Sequence, residues 1–154
     1  MENLLVLGIG NILMGDEGAG VHTVNRLKSI IDECEHLRIV DGGTLGLDLL
    51  NYIEWADILI VIDAVNVGLP SGTIIKADYG NSTEDFITLK TAHHIGVSEL
   101  LASAGLLDIL PVKIIIYGIQ VEKIDMTLEL TDNVSANIGE LCKNIKKEIE
   151  TIFY

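Results

Sequence analysis

Apolar and polar positions along this chain follow two rhythms. Leu4-Leu5-Val6-Leu7 is a short, wholly apolar run ending at Gly8, the pattern of a strand buried on both faces. Val21, Val24, Leu27 and Ile31 then recur at helical spacing, which predicts a helix with one apolar face. Strand-like runs return at Leu37–Asp41 and at Ile58–Asp63, the second apolar until its final residue. Between them, Thr44 is placed to cap a helix carrying Leu45, Leu49, Tyr52 and Ile53. This βαβαβ order predicts a three-layer parallel α/β domain.

The rhythm breaks after Asp63. Only nine residues, including Gly68, Pro70 and Gly72, separate it from the next strand at about Thr73–Ala77. A parallel crossover needs about a dozen or more, so this strand is expected to run antiparallel and the sheet to be mixed. A polar stretch, Asp78–Lys90, leads to His93-His94 and a helix from near Gly96 to Ala104. Val112–Gly118 reads as the fifth strand. Thr131 is placed to cap a last helix, whose Val134, Ile138, Leu141, Ile145, Ile149 and Ile152 keep one apolar face for five turns. No linker, repeat or low-complexity segment interrupts the pattern, so residues 1–154 are expected to form a single domain.

Composition narrows the partners. The chain has 154 residues, 49% apolar and 21% charged, which excludes a disordered segment. Its formal net charge of −13 disfavours phosphate backbones and anionic membranes and favours metal cations and basic peptide segments. Cys34 and Cys142 lie far apart and form no CxxC, so neither a disulfide framework nor a cysteine zinc site is expected. There is no basic leader and no apolar run near the roughly 20 residues a membrane-spanning helix needs, so a cytoplasmic protein is expected.

Open α/β sheets bind ligands beyond the carboxyl ends of their strands. The polar residues expected there are Asp16 and Glu17 after strand one, Asp41-Gly42-Gly43-Thr44 after strand two, Asp63 ending strand three, and Gln120 after strand five. The His93-His94 loop is able to fold over the same edge. A nucleotide reading of the first loop fails. Leu13 stands where a dinucleotide fingerprint needs its third glycine, and Asp16-Glu17 stand where a P-loop needs Lys-Ser/Thr. Two carboxylates there would repel phosphate and attract a cation. Glu17, Asp63 and one histidine would offer two oxygens and one nitrogen, a set suited to nickel or zinc. Each residue also has a plainer reading: Asp16 or Glu17 as an acid favouring a helix N-terminus, Asp63 as a strand-end cap, the Asp41 turn as a tight connection, a lone loop histidine as inert.

Taken together these segments resemble a family. Leu5-Val6-Leu7-Gly8-Ile9-Gly10-Asn11-Ile12-Leu13 with Asp16-Glu17-Gly18, then Asp41-Gly42-Gly43-Thr44, then Ile62-Asp63-Ala64, resemble successive motifs of the nickel–iron hydrogenase maturation endopeptidases. His93 with Ile95-Gly96-Val97 and Glu99-Leu100-Leu101 resembles their histidine segment, and Tyr117-Gly118-Ile119-Gln120 their C-terminal part. The resemblance implies a three-layer α/β/α sandwich of the phosphorylase/hydrolase-like kind. Its five-stranded mixed sheet would have order 2-1-3-5-4, with strand four antiparallel. It implies removal of a C-terminal extension from a nickel-loaded hydrogenase large-subunit precursor. It also implies a metal-contacting set carried over as Glu17, Asp63 and His93, with nickel brought by the precursor and other divalent ions able to take its place. The spacing downstream favours His93 over His94.

No Gly-x-Ser-x-Gly elbow and no cysteine beside a histidine supply a nucleophile. Two routes are expected: nickel held at the site positions the cleavage segment and polarises the carbonyl or activates water, with Asp41 or one of the ligands Glu17 and Asp63 as general base, or nickel is only a recognition tag and a carboxylate and water carry the catalysis. Two other classes stay open: a nickel-binding or hydrogenase-assembly module without peptidase activity, and a nucleotide-dependent enzyme on the same sheet.

Overall fold

The computed structural model describes residues 1–79 and 96–154. Five strands, β1 (Leu4–Ile9), β2 (Leu37–Gly43), β3 (Ile58–Val65), β4 (Ile74–Tyr79) and β5 (Lys113–Gln120), form one sheet of order β2-β1-β3-β5-β4. β1 pairs in parallel with β2 and β3, and β3 with β5. β4 runs antiparallel to β5, with Ile74 opposite Ile119 and Tyr79 opposite Ile114. The short link after β3 forces this direction: it returns the chain to the edge it has just left. Every residue of β1 and β3 is buried, because both faces of the central strands are covered.

Successive side chains along a strand point to opposite faces, and the core divides accordingly. Leu4, Val6, Ile58, Ile60 and Ile62 pack under α1 (Ala19–Ile30) and α4 (Asp132–Phe153). Leu5, Leu7, Leu59 and Val61 pack under α2 (Leu50–Trp55) and α3 (Val97–Leu106). On α4, Val134, Ile138, Leu141, Ile145 and Ile149 are buried as the spacing predicts, and Ile152 is partly buried at the end of the stripe. Among the described residues no helix is long and apolar enough to cross a membrane.

Two local expectations are corrected. Thr44 caps nothing: a 3-10 turn, Gly46–Leu49, opens on Leu45 and leads directly into α2, with no side-chain cap on either. Leu49 and Ile53 are buried there, but Leu45 and Tyr52 are exposed. A short α2 needs only one turn's worth of anchoring, and the glycines Gly43 and Gly46, both at positive φ, turn the chain without help from a hydroxyl. Thr131 does occupy the N-cap position of α4, but its hydroxyl makes no capping bond. It is used elsewhere, as described below.

Gly20, on α1, holds that helix against the sheet. A Cβ there would press on the backbone carbonyl oxygens of Ile62 and Ile9. Helix propensity alone favours Gly20→Ala by about 1 kcal/mol, whereas overpacking against rigid backbone costs about 1–3 kcal/mol or more. The expected outcome is a net loss of about 2 kcal/mol, read as a lower denaturant midpoint. A gain in midpoint would show that α1 has room to move.

Candidate active site

The loops following β1, β2, β3 and β5 gather at one edge of the sheet. Gly10, at φ 140°, lets the first loop fold back over the 3-10 turn Gly15–Gly18, since a Cβ there would collide with the Glu17 carbonyl oxygen. That turn carries Asp16 and Glu17 side by side, and the fold sends them to different tasks.

Asp16 is fully buried. Its Oδ2 accepts hydrogen bonds from the Glu122 N–H at 2.9 Å and the Thr131 hydroxyl at 2.7 Å, and its Oδ1 accepts one from the Thr131 N–H at 2.8 Å. The Lys123 N–H lies at 3.4 Å from Oδ2. A backbone bond from Gly15 N–H to the Thr127 carbonyl, 2.8 Å, fastens the same two loops. Asp16 is thus the anchor of residues 122–131, a role that neither a cation site nor a helix N-terminus predicts. Gln120, 3% exposed, is a second anchor. Its Oε1 accepts from the Val67 N–H at 2.8 Å, and its Nε2 donates to Asn66 Oδ1 at 3.1 Å and to the Val121 carbonyl at 2.9 Å. Neither role is legible in the local sequence, because the groups that Asp16 meets lie more than a hundred positions away and those that Gln120 meets mostly more than fifty.

Glu17, partly exposed, faces the centre of the edge, and there the fold brings it near Asp63. Asp63 lies in β3 opposite Gly118 of β5 and is fully buried. By alternation it projects toward α2 and α3, the layer that supplies Glu99. Glu99 itself accepts a hydrogen bond from the Gly96 N–H at 2.9 Å and so closes the first turn of α3. Burial pushes the Asp63 carboxyl well above the ordinary carboxylate range. The Ala64 N–H, hydrogen-bonded to it, pulls the other way, and the negative charges of Glu17 and Glu99 push it up further. A buried acid facing two other acids is costly when ionised, and a divalent cation at that spot would reverse the sign of the cost. The donor chemistry therefore fits a cation.

Asp41 is not brought to this pair. Its register partner Gly8 is also the partner of Ile62, which places Asp41 two strands from β3, about 10 Å at ordinary strand spacing. It shares the α1/α4 face with Ile39, opposite the face Asp63 uses, and it is exposed. His93 and His94 lie outside the described residues. Among the described residues no group of three histidine, cysteine, aspartate or glutamate side chains is placed to hold a metal ion. Cys142 is buried, its thiol directed at the Thr23 carbonyl at 3.7 Å, and Cys34 is exposed on the chain before β2; neither approaches the edge.

Comparison with known proteins follows the same lines. Residues 21–148 match the family model HycI, hydrogenase maturation protease. The hydrogenase expression/formation protein HupD of Thiocapsa roseopersicina is 37% identical over 124 residues, which is 79% of this chain and 56% of that protein. The chain thus spans little more than half the length of that relative. The hydrogenase 2 maturation protease of Escherichia coli K12 is 32% identical over 138 residues, covering 88% of this chain and 83% of that protein. The solved structure of the hydrogenase maturating endopeptidase HybD from E. coli superimposes with a TM-score of 0.84 at 26% identity, over 98% of this chain and 94% of that one. The family model over residues 21–148, the Escherichia coli relative and the structural superposition agree: this chain belongs to the hydrogenase maturation protease family.

Proposed function

We propose that this protein is an endopeptidase that removes the C-terminal extension of a nickel–iron hydrogenase large-subunit precursor, in the cytoplasm and after nickel has been inserted. The observation that carries the reading is the approach of Glu17, from the turn after β1, to Asp63 of β3, which is fully buried. Burial and the charges of Glu17 and Glu99 disfavour the ionised Asp63 carboxylate, and a cation brought in by the substrate would favour it.

In this reading nickel is cargo of the substrate, with Glu17, Asp63 and His93 as the residues that would hold it. Bound there, it would supply a positive charge beside the scissile segment. The protein's own residues do the rest. The anchors Asp16 and Gln120 hold the surrounding loops in place before substrate arrives, so that little ordering is left to do on binding. A carboxylate of the pair takes a proton from water as the water oxygen attacks the scissile carbonyl carbon. The same proton passes to the departing amide nitrogen as the C–N bond breaks. The ligand carboxylates are better placed for this than Asp41, which is exposed on the other face.

The test is mass spectrometry of purified nickel-loaded precursor incubated with the protein and with Glu17→Gln, Asp63→Asn and His93→Ala variants. The expected result is a shortened precursor with the natural chain and an intact one with the variants. Precursor that keeps its full length with the natural chain overturns the proposal, and full cleavage by all three variants overturns the site.

A further inference from the structure

The edge that carries Glu17 and Asp63 is also rich in large apolar side chains that the core does not claim. Ile12 is 41% exposed, Leu13 58%, Met126 87% and Leu128 62%. They come from two loops far apart in sequence. The loops are joined by the Met14–Thr127 bridge, by the Gly15 N–H bond to the Thr127 carbonyl, and by the Asp16 carboxylate. A loop tip that merely connected elements would carry polar residues there. Here a fully buried acid is spent on presenting methionine and leucine to solvent, in a fixed arrangement. Contiguous exposed apolar groups rimmed by polar ones mark interaction sites.

The charge around this patch says what covers it. Among the described residues of the loops at this edge, Glu17, Asp41, Asp48, Glu122, Asp125 and Glu129 are at least partly exposed, and Lys123 is the one cation. Lys123 is already paired with Asp125 at 3.1 Å. An apolar patch in an acidic frame fits a segment that has apolar side chains at its centre and lysine or arginine beside them. A second copy of this chain would set acid against acid.

We propose that Ile12, Leu13, Met126 and Leu128 form a docking surface for an apolar, basic segment of the protein substrate, next to the site and distinct from it. This rests on the reading of the chain as a maturation protease. The patch grips the precursor body, so that recognition does not depend on the metal alone. Its polar frame steers the encounter, and its apolar centre slows dissociation.

The experiment measures binding directly, by biolayer interferometry of immobilised nickel-loaded large-subunit precursor, at low and at raised salt. The proteins compared are the natural chain, Met126→Ser/Leu128→Ser, Glu122→Lys/Glu129→Lys, and Leu106→Ser/Val112→Ser. The last pair truncates two side chains 89% and 94% exposed, at the end of α3 and just before β5, where the chain enters the sheet from its opposite end. Thermal melts confirm that each variant is folded. The apolar pair is expected to weaken binding at least about tenfold, as loss of two central contacts does. The charge reversal is expected to weaken it most at low salt, and the distal pair to leave it unchanged. Cleavage is followed in parallel. Weakened binding by the first two variants, with or without cleavage by the natural chain, upholds the docking surface, and absence of cleavage then counts against the peptidase reading only. Binding by the Met126/Leu128 pair equal to the natural chain, an equal loss from the distal pair, or no binding by the natural chain overturns it.

Discussion

Asp63→Asn is expected to abolish processing while making the protein more stable at neutral pH. Cleavage of the nickel-loaded precursor should fall by about 10²-fold or more, the range lost when a charged group that holds a proton or a ligand is neutralised. The stability change follows from linkage. In the unfolded chain the carboxyl titrates at its ordinary value of 3.8, and in the folded protein it titrates well above that. Between those two values the folded state holds a proton that the unfolded state has released. Stability therefore falls as pH rises through that window and stays reduced above it, by about 1.4 kcal/mol for each pH unit of its width. Asparagine has nothing to titrate. The melting temperatures of natural chain and variant should be closest below pH 4 and separate in favour of the variant as pH rises toward 7. A variant that melts lower at pH 7 than the natural chain would show that the ionised carboxylate is a stabilising element, and would remove the physical basis for a cation at this position. Groups whose titration is strongly perturbed concentrate at active sites, and Asp63 is such a group.

Asp16→Asn is expected to do the reverse. The carboxylate accepts three hydrogen bonds of 2.7–2.9 Å in a fully buried position. An amide keeps one acceptor oxygen and turns an NH2 group toward N–H donors. With the amide oxygen kept toward the Glu122 N–H and the Thr131 hydroxyl, the Thr131 N–H loses its partner and the remaining bonds lose their charge; each bond to a charged group is worth about 1.5–3 kcal/mol. A loss of about 3–5 kcal/mol follows, or a drop in Tm of about 10 °C for a domain of this size. Residues 122–131 should lose amide-exchange protection before the sheet does, because they hang from this carboxylate while β1 and β3 do not. Uniform loss of protection across the chain, or a Tm within a degree of the natural protein, would contradict the anchor role. The neighbouring Glu17→Gln should leave Tm close to the natural value, since Glu17 is partly exposed. Two adjacent acids are thus distinguished by opposite phenotypes.

Much of the architecture could be read before any coordinates. The apolar runs at Leu4–Leu7 and Ile58–Ile62 are buried on both faces as expected, although β3 runs on past Asp63 to Val65, and the nine-residue link after Asp63 implies the antiparallel β4 that is found. The stripe from Val134 to Ile149 lies on the core. The two helix-cap expectations fail for different reasons. Thr44 and Thr131 were assigned caps from their own neighbours, but glycine geometry removed the need at Thr44, and Asp16, more than a hundred positions away, took the Thr131 hydroxyl.

The division of labour between sequence and fold is physical. Periodicity and link length are properties of adjacent residues, so the chain by itself determined which segments become strands and helices, which faces are buried, and that acids rather than phosphate-binding groups follow the strands. Which acid does what is a property of distance between segments that only the folded sheet brings together. Burial beside Glu17 and Glu99 turned Asp63 into a strained carboxyl, four nearby donors turned Asp16 into an anchor, and strand alternation carried Asp41 to the opposite face.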